Sequence, residues 1–159
     1  MNEFNERRPI LILGIGNILL RDEGVGVRVI ETLQKQKLPD TIDLVDGGTS
    51  GADLIDILAD RRKVIIVDAV DAGISPGTVI RFEENDLEKI PNSTLSLHEL
   101  GIAETLRMTG KLNCKPKEVV FFGIQPKDIS PGLELSDEMA EIVPIVAEKA
   151  LKEALVLPN

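Results

Sequence analysis

The chain has 159 residues, 18 of them Lys or Arg and 27 Asp or Glu, for a formal net charge of -9. That length suits one domain around a single core, and the acidity opposes the phosphate contacts that nucleic-acid binding requires, so DNA and RNA are not expected partners. The one cysteine, Cys114, cannot form an intramolecular disulfide, no run reaches the roughly 18 apolar residues of a membrane span, and the polar start lacks the apolar centre of a secretory leader; a cytoplasmic protein is expected.

Residues 1–9 read as a flexible N-terminal tail and 10–159 as one domain. The unbroken apolar run Ile10 to Ile15 fits a strand covered on both faces. From Gly24 the spacing becomes helical, with Val25, Val29, Ile30 and Leu33 on one side. Pro39-Asp40 breaks the chain, Ile42 to Val45 forms a second short strand, and Asp46-Gly47-Gly48-Thr49-Ser50-Gly51 is a loop leading to a helix around Leu54, Ile57 and Leu58. Val64 to Val67 is the third strand and runs straight into Asp68. The turn Ser75-Pro76-Gly77 precedes a fourth strand, Thr78 to Phe82, which should run antiparallel to the third because a parallel return needs a dozen or more residues. Ser96-Leu97-His98-Glu99 has the capping-box pattern and opens a third helix. Val119 to Ile124 is the fifth strand, with Gln125-Pro126 read as its end rather than as a crevice rim. Ser136-Asp137-Glu138 begins a last helix, with a kink or break expected at Pro144.

This order predicts an α/β fold, a three-layer α/β/α sandwich with a five-stranded, mostly parallel sheet and one antiparallel strand. Ligands of such sheets bind beyond the carboxyl ends of the strands, where the strand order reverses. The first and third strands should flank that point, which would set Glu23 and Asp68 across one crevice.

Gly14-x-Gly16 after a strand invites a dinucleotide reading, but the third glycine of that fingerprint falls on Leu19. Asp22-Glu23 also occupies the helix start, where two like charges about 4 Å apart repel by roughly 4 kcal/mol at an effective dielectric near 20. No tightly held organic cofactor is expected. Asp22 is read as a helix cap, and Glu23 either as a complement to the helix dipole or as a ligand. An acid continuing a buried strand, as Asp68 does, is costly unless paired, hydrogen-bonded or metal-bound. His98, the only histidine, would lie in a first helical turn that favours the neutral ring, able to coordinate a metal or to rest as a satisfied histidine. Glu23, Asp68 and His98 together would make a mixed oxygen and nitrogen site with open positions, suited to nickel, zinc, iron or manganese. Asp46 is either a turn former or helix cap, or a general base.

These residues sit in segments that resemble the hydrogenase maturation proteases. The matching stretches are Leu13-Gly14-Ile15-Gly16-Asn17-Ile18-Leu19-Leu20-Arg21-Asp22-Glu23-Gly24-Val25-Gly26, Asp46-Gly47-Gly48-Thr49, Val67-Asp68-Ala69, Pro76-Gly77-Thr78, Ser96-Leu97-His98-Glu99-Leu100-Gly101 and Gly123-Ile124-Gln125-Pro126. The resemblance implies an aspartyl-type endopeptidase that trims the C-terminal extension of a nickel-iron hydrogenase large-subunit precursor once nickel is in place. It implies Glu23, Asp68 and His98 as metal-contacting residues, with the nickel supplied by the substrate; alongside these three in the catalytic group, Asp46 or another carboxylate is expected to handle protons. The contrasting expectation is a non-enzymatic nickel-binding or metal-delivery module built on the same three side chains.

Overall fold

The computed structural model describes residues 7–49, 54–90 and 97–156. Its elements in chain order are β1 (Ile10–Ile15), α1 (Val25–Gln34), β2 (Ile42–Gly48), α2 (Leu54–Leu58), β3 (Lys63–Ala69), β4 (Val79–Glu83), α3 (Leu97–Lys111), β5 (Glu118–Ile124) and α4 (Asp137–Ala154). Two 3-10 segments, Arg21–Gly24 and Glu84–Lys89, complete it. Ser50-Gly51 and the capping serine Ser96 lie outside the described residues, as do residues 1–6 of the expected tail. Within that tail Arg7 donates to the Ala59 carbonyl at 2.6 Å and Arg8 to the Ile42 carbonyl at 3.0 Å.

The strands form one five-stranded sheet in the order β2-β1-β3-β5-β4. All neighbouring pairs are parallel except β4 with β5. Alternate residues of β1 feed two separate cores. Ile10 and Ile12 join α1 and α4 on one face, while Leu11, Leu13 and Ile15 join α2 and α3 on the other. Strands so covered need apolar side chains on both faces, which is why β1 reads as an unbroken run. No described helix is long and apolar enough to cross a membrane.

Two expectations need correction and one gains detail. The fourth strand runs opposite to β3 as expected, with β5 between them and β4 at the sheet edge. The nine residues from Val70 to Thr78 easily span two strand spacings of about 4.8 Å each. β2 continues through Asp46 to Gly48, with an irregularity opposite Gly14 and Ile15 that glycine accommodates, so Asp46 stands in the strand and not in a loop. The chain does not break at Pro144, since α4 continues through it. Pro144 faces solvent, as does Ala140, so the carbonyl that loses its helical partner to the proline lies on the face open to water.

The amino end of β3 is closed by Lys63, which is 1% exposed. Its ammonium lies 3.2 Å from Glu153 and 3.6 Å from Glu118, and it donates to the Val156 carbonyl at 3.1 Å. A cation so placed meets the negative end of α4 as well as two carboxylates. Arg81 holds Glu153 from the other side at 2.7 Å. The Arg81 hydrogen bond foremost, with Lys63 behind it, keeps the Glu153 carboxyl below its ordinary pKa. Lys63→Ala should lower stability by about 2–4 kcal/mol, since it opens a cavity and breaks a buried pair. Lys63→Met, which preserves volume, should cost less; urea denaturation midpoints of the two variants check the order.

Candidate functional site at the carboxyl ends of β1 and β3

The chain leaves β1 toward the β2 side of the sheet and leaves β3 toward the β5 side. The reversal therefore falls between β1 and β3, as the element order predicts. Two glycines bring Glu23 to this point. A Cβ on Gly26 would lie 2.2 Å from the Val67 carbonyl oxygen and 2.5 Å from that of Ile15, so the first turn of α1 rests directly on both strands. A Cβ on Gly16, whose φ is +142, would lie 1.9 Å from the Glu23 carbonyl oxygen. The Gly14-x-Gly16 spacing thus serves a close return of the chain that delivers an acid to the crevice.

Glu23 and His98 are both partly buried, and Glu23 Oε1 lies 3.4 Å from His98 Nδ1. Asp68, next to last in β3 and opposite Gly123 of β5, is 5% exposed. Its Oδ1 accepts the Ala69 N–H at 2.8 Å. Burial raises the Asp68 pKa well above the ordinary carboxylate value, and the charges of Glu99 and Glu23 push it the same way against the Ala69 hydrogen bond. Residues from three separate elements thus gather at the reversal point. Among the described residues, no three His, Cys, Asp or Glu side chains already surround one point as a metal site. Two carboxylates and an imidazole are donors that suit a divalent transition metal, and an ion bound there would have to draw them together.

Asp46 stands apart. It is opposite Gly14 of β1, exposed, and its Oδ1 accepts the Gly48 N–H at 2.9 Å, the bond of an Asx turn. Two strand spacings, about 10 Å, separate β2 from β3.

Three residues near the site carry roles that the sequence reading missed. Asp22 does not cap a helix: it is 0% exposed, and its oxygens accept the N–H groups of Lys127, Asp128 and Ser136 and the Ser136 hydroxyl at 2.7–2.9 Å. It pins the segment after β5 to the turn that carries Glu23. Glu99, read only as part of a capping box, is 3% exposed and lines with Asp68 a cavity of about 10 Å³, roughly room for one water. Glu99, Ile102, Leu106 and Thr109, all buried, follow helical spacing, so the acid falls on the core-facing stripe. Gln125 does more than end β5, because its side chain grips the loop after β3 through Asp71, Ala72 and Ile74.

A family model of hydrogenase maturation proteases matches residues 27–153. The chain belongs to the hydrogenase maturation protease family. The matched span holds Asp46, Asp68 and His98, and Glu23 lies just ahead of it. The chain is 36% identical to the hydrogenase 2 maturation protease of Escherichia coli over 151 residues, covering 92% of this chain and 88% of that one. It is 37% identical to a putative hydrogenase maturation protease of Methanocaldococcus jannaschii, covering 93% and 97%. Among solved structures it resembles the E. coli hydrogenase maturating endopeptidase HybD, with a TM-score of 0.84 and 33% identity across 91% of this chain and 90% of that one. The protein is accordingly a peptidase of hydrogenase maturation, and the metal-delivery alternative gains no support from its family.

Two outcomes follow for this maturation protease. Asp22→Ala removes a buried acceptor from four part-buried donors and should cost about 2–4 kcal/mol, with new proteolytic cuts between Lys127 and Ser136 in a limited digest. Asp68 behaves oppositely. Its folded pKa is raised, so its contribution to stability is greatest at acid pH and is lost as pH rises from the ordinary carboxylate value through the raised one. Asp68→Asn keeps the Ala69 bond without the charge. Its melting temperature should exceed that of wild type at pH 8, with the gap narrowing toward pH 4.

Proposed function

We propose that this peptidase removes the C-terminal extension of a nickel-iron hydrogenase large-subunit precursor after nickel insertion, and that it recognises the nickel as part of the substrate. The observation that supports this reading most is the convergence of Glu23, from the turn before α1, with His98, from the first turn of α3, beside the buried Asp68 of β3. Two carboxylates and one imidazole leave open positions on a divalent ion. Side chains that do not form a closed cage suit a metal that arrives already held by the precursor, since binding then requires both partners. An unloaded precursor is discriminated against because it brings the carboxylates no compensating charge.

In this reading the substrate's nickel, held beside Glu23, Asp68 and His98, would supply Lewis acidity at the scissile carbonyl, while protein side chains orient the peptide and handle protons. Asp46 is the proposed proton acceptor. From the β2 side it would reach a polypeptide that passes over the end of β1. The lone cysteine suits a reducing compartment, and we place the processing in the cytoplasm.

The test is intact-mass analysis of a large-subunit precursor, nickel-loaded and nickel-free, incubated with the wild-type protein, Glu23→Ala and His98→Ala. Loss of a C-terminal fragment only from loaded precursor, and only with wild type, is the expected result. Cleavage of both forms would remove nickel from the recognition step. No cleavage alongside tight binding of free nickel would turn the reading toward metal delivery.

A further inference from the structure

Gln125, the residue after β5, holds both ends of the loop that follows β3. Its main-chain N–H donates to the Thr78 carbonyl and its own carbonyl accepts the Gly77 N–H, each at 2.9 Å. Its side chain reaches the other end. Oε1 accepts the N–H groups of Ala72 at 2.8 Å and Ile74 at 3.4 Å. Nε2 donates to Asp71 Oδ1 at 3.1 Å and to the Pro126 carbonyl at 3.2 Å. The amide orientation follows from these partners, because a flipped amide would set donors against N–H groups and an acceptor against a carboxylate.

Gln125 is 6% exposed, whereas residues 71–76 are all exposed, Ile74 by 40%. A loop without buried side chains of its own takes its shape from what its main chain is bonded to. Here the partner from outside the loop is one buried amide, while Gly73 donates locally to Asp71 and Thr78 to the Ser75 carbonyl. The loop begins just beyond Asp68-Ala69-Val70, at the end of the sheet where ligands of α/β folds bind. A wall at this place touches a polypeptide without taking part in bond breaking.

We propose that Gln125 is a positioning residue for the substrate: its side-chain amide fixes the 71–74 loop as a wall of the crevice, against which the precursor polypeptide is held beside Glu23, Asp68 and His98. The loop offers an exposed isoleucine and exposed main chain, features that suit an extended polypeptide. This inference rests on the peptidase function proposed above.

The test compares cleavage kinetics of nickel-loaded precursor by wild type, Gln125→Ala, Gln125→Glu and the double variant Asp71→Asn/Gln125→Glu. Gln125→Glu keeps the acceptors for Ala72 and Ile74 but sets a carboxylate against Asp71, and Asp71→Asn returns a donor to that pair. KM should rise about tenfold in both single variants with kcat within about twofold, and the double variant should recover most of the change. A KM unchanged in the single variants overturns the inference. So does a loss confined to kcat and melting temperature without recovery in the double variant, the pattern of a merely structural residue. The Gln125→Glu pair decides the matter if Gln125→Ala does not fold. Failure of wild type to cleave instead refutes the proposed function itself.

Discussion

The structure turns on one close approach, that of the first turn of α1 to the carboxyl ends of β1 and β3. The carbonyl oxygens of Val67 and Ile15 lie where a Cβ of residue 26 would be, so only glycine lets the helix settle there. That approach sets the position of the turn Arg21–Gly24 relative to both strands. It also decides which side chains can meet across the reversal of strand order. With α1 raised by even a methyl group, Glu23 would leave the reach of His98, and Asp22 would lose its fit to the backbone beyond β5.

Asp22 and Asp68 show how differently buried carboxylates can be treated within one small region. Asp22 accepts four hydrogen bonds and acts as an internal fastening, the arrangement that allows a charge to be buried. Asp68 accepts one main-chain bond and faces two further acids, Glu99 and Glu23. Its surroundings disfavour its charge, so the ionised carboxylate is retained at a cost to stability. Such a conflict between local environment and charge is expected where function, and not packing, selects the residue. The opposite end of the sheet has no such conflict: Lys63 is surrounded by acceptors and negative charge.

Legibility in the sequence followed burial. β1 could be read from Ile10 to Ile15 because both its faces are apolar, and the reversal between β1 and β3 followed from element order alone. The position of β4 could not be read in this way. A short connection fixes direction, but the neighbour is set by β5, which arrives later in the chain with the more apolar run. Asp22 was misread because a helix start accounts for an acid without any tertiary partner, and its partners lie more than 100 residues away. Glu99 was visible in principle through its spacing with Ile102 and Leu106, but the capping-box pattern already explained it. A side chain that satisfies a local rule conceals a longer-range role.

The remaining asymmetry lies between the two loops that leave β3 and β5. Both rim the crevice, and neither has an apolar core of its own. In each, one buried polar side chain from elsewhere gathers several hydrogen bonds: Gln125 in the loop after β3 and Asp22 in the segment after β5, the latter segment also tied by Arg28 at the Leu133 carbonyl and by the Gly132 N–H to the Leu19 carbonyl. Hydrogen bonds are directional where apolar packing is not, so a single buried amide or carboxylate with several partners can fix a loop's shape while leaving its outer surface free. This arrangement meets the demands of a peptidase site, which has to admit a polypeptide. The rim stays exposed and open, and its geometry is nevertheless set by the sheet beneath it.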